Sequence, residues 1–290
     1  MSEELRREVR HARFVNPESI AERARERLRP GGLAPDHRLL IIAADHPARG
    51  ALGVGQDPSA MANRYDLLER LQAALAVPGV SGVLAAPDVV EDLLLLNALD
   101  HKMVFGSMNR GGLPGAVFEM DDRFTAYDTQ SIVDMGLEGG KMLLRINPED
   151  AGTVTTLEAC GRAVAELASA RRIAMIEPFM SSRVNGRSQN DLTPDAVIRS
   201  MAIASALGPT SAYTWLKIPV VSDMERVAEA TTLPLVLLGG EKSEYPDAMY
   251  ERWSQALQLP GVRGLAVGRN LLYPSDDDIE AAIKTALSLL

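Results

Sequence analysis

Cysteine is almost missing from this chain: Cys160 is the only one in 290 residues, so no internal disulfide can staple the fold and a reducing compartment is the natural setting. Histidine is scarce too. His11, His37, His46 and His101 make no H-x-H or H-E-x-x-H spacing, which argues against a zinc hydrolase or a metal-dependent aldolase. A magnesium ion on Asp45 or Asp88 would leave little trace in a sequence and stays open; otherwise no metal and no cofactor are expected. No apolar run is long enough to span a bilayer, and the opening MSEELRREVRHARF scatters charge where a signal peptide needs an apolar core, so a cytoplasmic location is expected. Excess positive charge is also lacking. A net charge of -9 and a pI near 5.1 repel nucleic acid and anionic lipid, so any phosphate-bearing ligand must be met by local cations.

What the chain does have is apolar content, 46% over 290 residues, enough for one large domain. The segment NPESIAERARERLRPGG reads as an extra N-terminal helix, with Asn16 as cap, Pro17 in the first turn and PGG as the stop. Then come eight short, nearly continuous apolar runs at 38–45, 81–88, 102–107, 139–146, 172–178, 212–220, 233–240 and 262–269. Most intervals carry a helical pattern, as in RYDLLERLQAALA, TLEACGRAVAELASA and PDAVIRSMAIASALG. Strands that are apolar throughout are covered on both faces, the condition of a parallel sheet with helices outside. Eight such units in about 250 residues match a (β/α)8 TIM barrel. A doubly wound sheet is the rival, but the turn after the first run, ADHPARGALGVG, lacks G-x-G-x-x-G. The expected layout is a single domain over 1–290: a helical extension at 1–37, the barrel at 38–275 and a closing helix at 276–290. The stretch MNRGGLPGAVFEMDDRF after the third run reads as a long loop with a small hairpin.

Barrel chemistry sits at the C-terminal ends of the strands. Polar residues there are Asp45, His46, Asp88, Ser107, Asn109, Lys141, Arg145, Glu177, Lys217, Glu241, Lys242, Ser243, Arg269 and Asn270. Lys217 poses the sharpest question, since SAYTWLKIPVVSD buries an ammonium in an apolar run and an unpaired buried lysine is costly. Strand alternation puts Lys217 on one face with Trp215, and Lys141 on one face with Leu143 and Arg145. Pointing inward, they meet Asp45 and Glu177. A lysine amine attacks a carbonyl only when neutral, and a neighbouring cation with partial desolvation favours that form; carboxylates then move the protons of Schiff-base chemistry. The plainer alternative is a structural ion-pair network, with Asp45 capping its turn and Glu177 paired to Arg145. LLGGEKS and VGRN, after the last two runs, suit a phosphate: Gly239, Gly240 and Gly268 allow close approach, and Lys242, Ser243 and Arg269 supply charge and hydroxyl.

The motifs IIAADHPARGAL, GGKMLLRINPED, IAMIEPF, YTWLKIPV, VLLGGEKS and GLAVGRNLL, in order over about residues 38 to 275, resemble the class I aldolase group that includes deoxyribose-phosphate, archaeal-type fructose-bisphosphate and tagatose-bisphosphate aldolases and the autoinducer thiolase-like barrels. The resemblance implies that Lys217 forms the Schiff base, that Asp45 assists, and that the GGEKS and GRN loops hold a substrate phosphate. Glu177 in IEPF and Lys141 in GGKMLL look like the tagatose-bisphosphate type, where archaeal fructose-bisphosphate enzymes carry a tyrosine at the former position. Arg145 is then a contact for substrate hydroxyls or a carboxylate, and His46 a substrate contact, although DHPARG departs from the group's usual D-H-G or D-Q-R-G. The sequence is also similar to an actinobacterial aldolase-like set linked to inositol breakdown, which implies cleavage of 2-deoxy-5-keto-gluconate 6-phosphate. The expected partner is a small phosphorylated keto-sugar, with no nucleic acid or membrane, in a homo-oligomer as is common for such barrels. A barrel that only binds a sugar phosphate, or uses the imine for another step, is the competing reading.

Overall fold

The apolar runs become strands because each is buried on both faces. In the computed structural model, which describes residues 1–290, they are β1 (Leu39–Ala44), β2 (Gly82–Ala85), β3 (Met103–Ser107), β4 (Gly139–Ile146), β5 (Ile173–Val184), β7 (Thr214–Pro219), β8 (Leu235–Leu238) and β9 (Val262–Val267), with a hairpin strand, β6 (Arg187–Asn190), added after β5. The order β4-β3-β2-β1-β9-β8-β7-β5 closes through a β4–β5 pairing into a parallel (β/α)8 barrel. β6 pairs antiparallel with the far end of β5, outside the ring. The second run stops at Ala85 as a strand because Pro87 opens the helix Pro87–Leu95.

Alternation divides the core in two. Leu39, Ile41 and Ala43 of β1 point into the barrel with Leu84, Met103, Phe105, Met175, Trp215, Val236 and Ala266. The other strand faces join the helices in a larger layer of 59 buried residues. The helical patterns form where expected: Arg64–Ala76 is capped by the Asn63 side chain, Pro194–Ser205 by Thr193, and Gly152–Ser169 lies between.

The N-terminus departs from the expectation of one extra helix. There are two, Glu3–Val15 capped by Ser2 and Glu18–Glu26, and Asn16 closes the first instead of capping the second. Pro17, which has no N–H to continue a helix, separates them. Arg13 ties the first helix to Asp92 (2.7 Å) and Glu91 (2.9 Å). Arg27, after the second, donates to the carbonyls of Lys102 and Gly136, both at 2.7 Å, just ahead of β3 and β4. The segment after the second helix therefore docks at the N-terminal end of β3 and β4, opposite the expected site, while the first helix lies against the helix that follows β2. A final helix spans Ile279–Ser288, and no helix is long and apolar enough to cross a membrane.

Candidate active site

The inward parity of the strands runs on into the barrel mouth. Ala43 leads to Asp45, Phe105 to Ser107, Met175 to Glu177 and Trp215 to Lys217, while Lys141 sits beside Ser107 and Met175. The Phe105 and Trp215 rings, 5.9 Å apart, form part of the barrel interior beneath them. Because Leu143 is the residue in register with Glu177, Lys141 starts one inward step lower and its four-carbon stem covers the difference. The buried lysine of the apolar run thus has its partner: Lys217 Nζ lies 2.6 Å from Glu177 Oε1. Lys141 Nζ contacts Oε2 of the same carboxylate and is 3.1 Å from Asp45 Oδ2. All four groups are out of water, with Lys141 and Asp45 1% exposed, Lys217 4% and Glu177 8%.

Arg110 completes the cluster, and the strand-end reading missed it. It lies in the loop after β3, pairs with Asp45 Oδ2, and donates from Nε to Ser107 Oγ (3.0 Å), which in turn donates to Asp45 (3.3 Å). Its only trace in the sequence is a cation three residues past a strand end, in SMNRGG. With Asp45 neutralised by Arg110, one carboxylate serves two lysines. Burial first, then the Arg110 charge, holds Lys141 well below the ordinary lysine range against the pull of Glu177. For Glu177, burial pushes upward, but the charges of Lys141 and Lys217 outweigh it and keep the carboxyl well below its ordinary range. The pair therefore favours an ionised Glu177 beside a lysine that gives up its proton easily.

Arg145 points inward as expected but is not paired with Glu177 or free for a ligand. Its Nε and Nη2 grip the two oxygens of Asp122 at 2.8 and 2.6 Å, with Glu119 beyond at 3.8 Å. Asn109 adds a second tie, donating to Leu143 O (2.6 Å) and Asp122 O (3.1 Å) and accepting from Leu143 N (2.7 Å). Together they bind the 108–124 loop to β4 and so present Arg110. The hairpin expected there is reduced to one antiparallel bridge, Asn109 with Phe124. Asp88 is exposed in the first turn of the helix after β2 and pairs with Arg64, so it takes no part in the buried cluster.

His46 follows Asp45 in the mouth. Burial, then the charges of Arg269 and Lys217, holds its imidazole well below the ordinary value, so it is neutral at pH 7, and its buried Nδ1 has no partner. Arg49, three residues on, is likewise held below its ordinary value by burial and then by Arg145, against Asp122, Glu177 and Glu119.

The two glycine loops meet through Asn270, which donates to Gly239 O (2.8 Å) and Glu241 O (3.0 Å) and accepts from Ser243 N (2.8 Å). Gly240 takes the left-handed conformation (φ 67), and a side chain at Gly268 would collide with the Ala43 carbonyl, so each glycine is required by the backbone. The amides of Gly239, Gly240, Glu241 and Lys242 make no hydrogen bond. Arg269 reaches Gly240 O (3.3 Å) and keeps a buried, unpartnered Nε. The Ser243 hydroxyl is occupied by the Tyr245 backbone, and the Lys242 stem lies against Gly55. No three His, Cys, Asp or Glu side chains converge as a metal would require, and Asp45 already faces two cations.

A family model described as Cgl0159-like matches residues 37–287. The crystal structure of Cgl0159 from Corynebacterium glutamicum is 56% identical, with a TM-score of 0.97, covering 100% of this chain and 97% of that one. A Schiff base forming fructose-1,6-bisphosphate aldolase and an archaeal fructose 1,6-bisphosphate aldolase share the fold at TM-scores of 0.65. They are 18% and 17% identical, covering 93% of this chain and 99% and 98% of theirs. Among curated proteins none matches the sequence.

Proposed function

The chain belongs to the Cgl0159-like family, and from that footing we propose that it is a metal-independent class I aldolase, a lyase acting on a phosphorylated keto-sugar through a lysine Schiff base. The observation that carries the reading is one buried carboxylate, Glu177, bridging two buried lysines at the C-terminal end of the barrel. Lys217 is the nucleophile: it contacts Glu177 alone, whereas Lys141 is hemmed in by Glu177, Asp45 and, through Asp45, Arg110. A proton leaves Lys217 through Glu177 to Lys141, and the freed amine attacks the ketone carbon. Asp45, with Lys141, moves the protons that turn the carbinolamine into an iminium and water. The carbon-carbon bond then breaks, its electron pair passing into the iminium to give an enamine. Glu177 takes the proton of the hydroxyl that becomes the aldehyde. Protonation of the enamine and hydrolysis restore Lys217. The phosphate is held by the free amides of 239–242 with Lys242 and Arg269, and neutral His46 faces the substrate. The substrate we propose is 2-deoxy-5-keto-gluconate 6-phosphate of inositol breakdown, with fructose or tagatose bisphosphate as alternatives; a deoxyribose phosphate type would present Lys217 with an aldehyde in place of the ketone.

Borohydride reduction with dihydroxyacetone phosphate, followed by peptide mass spectrometry, tests the reading. An adduct on Lys217 is expected, and Lys217→Ala, which leaves Glu177 paired to Lys141, should abolish it and turnover while the protein stays folded. Activity of that variant within about tenfold of the native protein would overturn the assignment. An adduct on Lys141 would exchange the two roles, a reading favoured by the depressed pKa of Lys141. Phosphate-ligand binding with no adduct on either lysine would instead identify a binding protein.

A further inference from the structure

The charges shut into the barrel mouth decide how many protons its lysines keep. Two carboxylates, Asp45 and Glu177, are buried there with three cations, Lys141, Lys217 and Arg110, the last of them 7% exposed. With both lysines charged the group carries one positive charge in excess. With one lysine neutral it balances. A net charge held out of water is costly, and of the three cations a lysine gives up its proton more readily than a guanidinium. Burial lowers Arg110 only to about 10, so it stays charged at pH 7. Without Arg110 the count is two against two, both lysines keep their protons, and neither is a nucleophile.

This effect falls to Arg110 because of where it binds. Arg110 Nη2 and Lys141 Nζ share one oxygen, Asp45 Oδ2, with Lys141 at 3.1 Å and the guanidinium in close contact, so Arg110 takes up the charge that would otherwise hold the Lys141 proton. Ser107 Oγ accepts from Arg110 Nε at 3.0 Å and donates to the same Oδ2 at 3.3 Å, which fixes the orientation. The groups facing Lys141 are Asp45 and neutral His46 at the end of β1, Arg110 from the β3 loop, Glu177 from β5 and Lys217 from β7. Arg145, on Lys141's own strand, is engaged by Asp122. Arg49 and Arg269 bear on Glu177 from half-buried positions, where nearby water weakens their effect.

We propose that Arg110 is a positioning residue for the Schiff-base reaction: by occupying Asp45 it leaves the two lysines a single proton, which Glu177 passes between them. Its purpose rests on the aldolase reading, whereas the proton count belongs to the folded protein whatever it catalyses. The 108–124 loop is held to β4 by Arg145 and Asn109, so a change at Arg110 alters the charge without releasing the loop.

Only five lysines occur in the chain, Lys102, Lys141, Lys217, Lys242 and Lys284. Carbon-13 at the lysine ε-carbon therefore gives the intact protein five resonances, assigned by replacing each lysine in turn and titrated by NMR. In the native protein one step of the Lys141 and Lys217 pair should fall about two pH units or more below that of exposed Lys284. In Arg110→Gln that step should rise by about one unit or more, a tenfold gain in proton affinity, and Arg110→Met serves equally if the glutamine variant folds poorly. Arg110→Lys, which returns the charge, should recover at least about half of the shift. Trapping with dihydroxyacetone phosphate and borohydride at pH 7 should slow about tenfold in Arg110→Gln and recover when the pH is raised by about one unit. The proposal is overturned if the native pair titrates with Lys284, if the neutral variants move the step by less than about half a unit, if Arg110→Lys shifts it as far as they do, or if trapping is unchanged while the titration moves. A native protein that gives no adduct would remove the aldolase reading, while the titration would still judge Arg110.

Discussion

Replacing Arg145 with methionine asks whether one buried ion pair holds the 108–124 loop to the barrel. Arg145 and Asp122 are 3% and 1% exposed, and the guanidinium meets both carboxylate oxygens at 2.8 and 2.6 Å. Methionine fills the volume of the stem but leaves Asp122 buried without its counter-charge, and breaking such a pair from one side costs about 3–5 kcal/mol. Unfolding entropy of about 2.1 cal/mol/K per residue amounts to about 0.6 kcal/mol/K over 290 residues, so Tm should fall by about 5–8 °C. The double variant Arg145→Met/Asp122→Leu removes the orphaned charge and should recover at least about 2 kcal/mol relative to the sum of the two single changes. Urea unfolding followed by circular dichroism reads all three variants. A loss below about 1 kcal/mol for Arg145→Met, or strict additivity in the double variant, would refute the reasoning and return Arg145 to the pool of groups available to substrate.

Two other changes probe the mouth. Since the folded state keeps His46 neutral below the ordinary histidine value, the unfolded chain binds a proton there that the folded one does not. The stability associated with this site is therefore complete above about pH 6.5 and is lost as pH falls towards the folded pKa, by up to about 1.4 kcal/mol per pH unit. His46→Gln should flatten that part of the profile, and urea titrations at pH 7.5 and 5.5 showing the same slope with and without histidine would count against it. Asn270→Ala strips the 2.8 Å and 3.0 Å contacts to Gly239 O and Glu241 O, should cost about 1–3 kcal/mol, and should weaken inorganic phosphate binding by loosening both loops. Unchanged phosphate affinity, measured by calorimetry, would separate these loops from ligand binding.

The sequence by itself determined the barrel, because strands buried on both faces must be apolar throughout, and it determined which strand residues share a face, because a period of two is carried along a strand; which of the two faces looks inward was decided by the closed ring. Asp45, Lys141, Glu177 and Lys217 were legible as co-facing strand residues for that reason, as were the helical segments, although Asn16, the one cap read there, closes a helix instead of opening one. Tertiary structure alone decided who pairs with whom. Lys141 and Asp45 are 96 residues apart and Arg145 and Asp122 are 23 apart, so these contacts exist only once the ring closes and the loop folds back over it. Glu177 takes two lysines instead of Arg145, Arg145 turns to the loop, and Arg110 arrives from a segment with no periodicity to betray its direction. Electrostatics in a closed mouth depends on separations of a few ångströms, and no spacing along the chain encodes them.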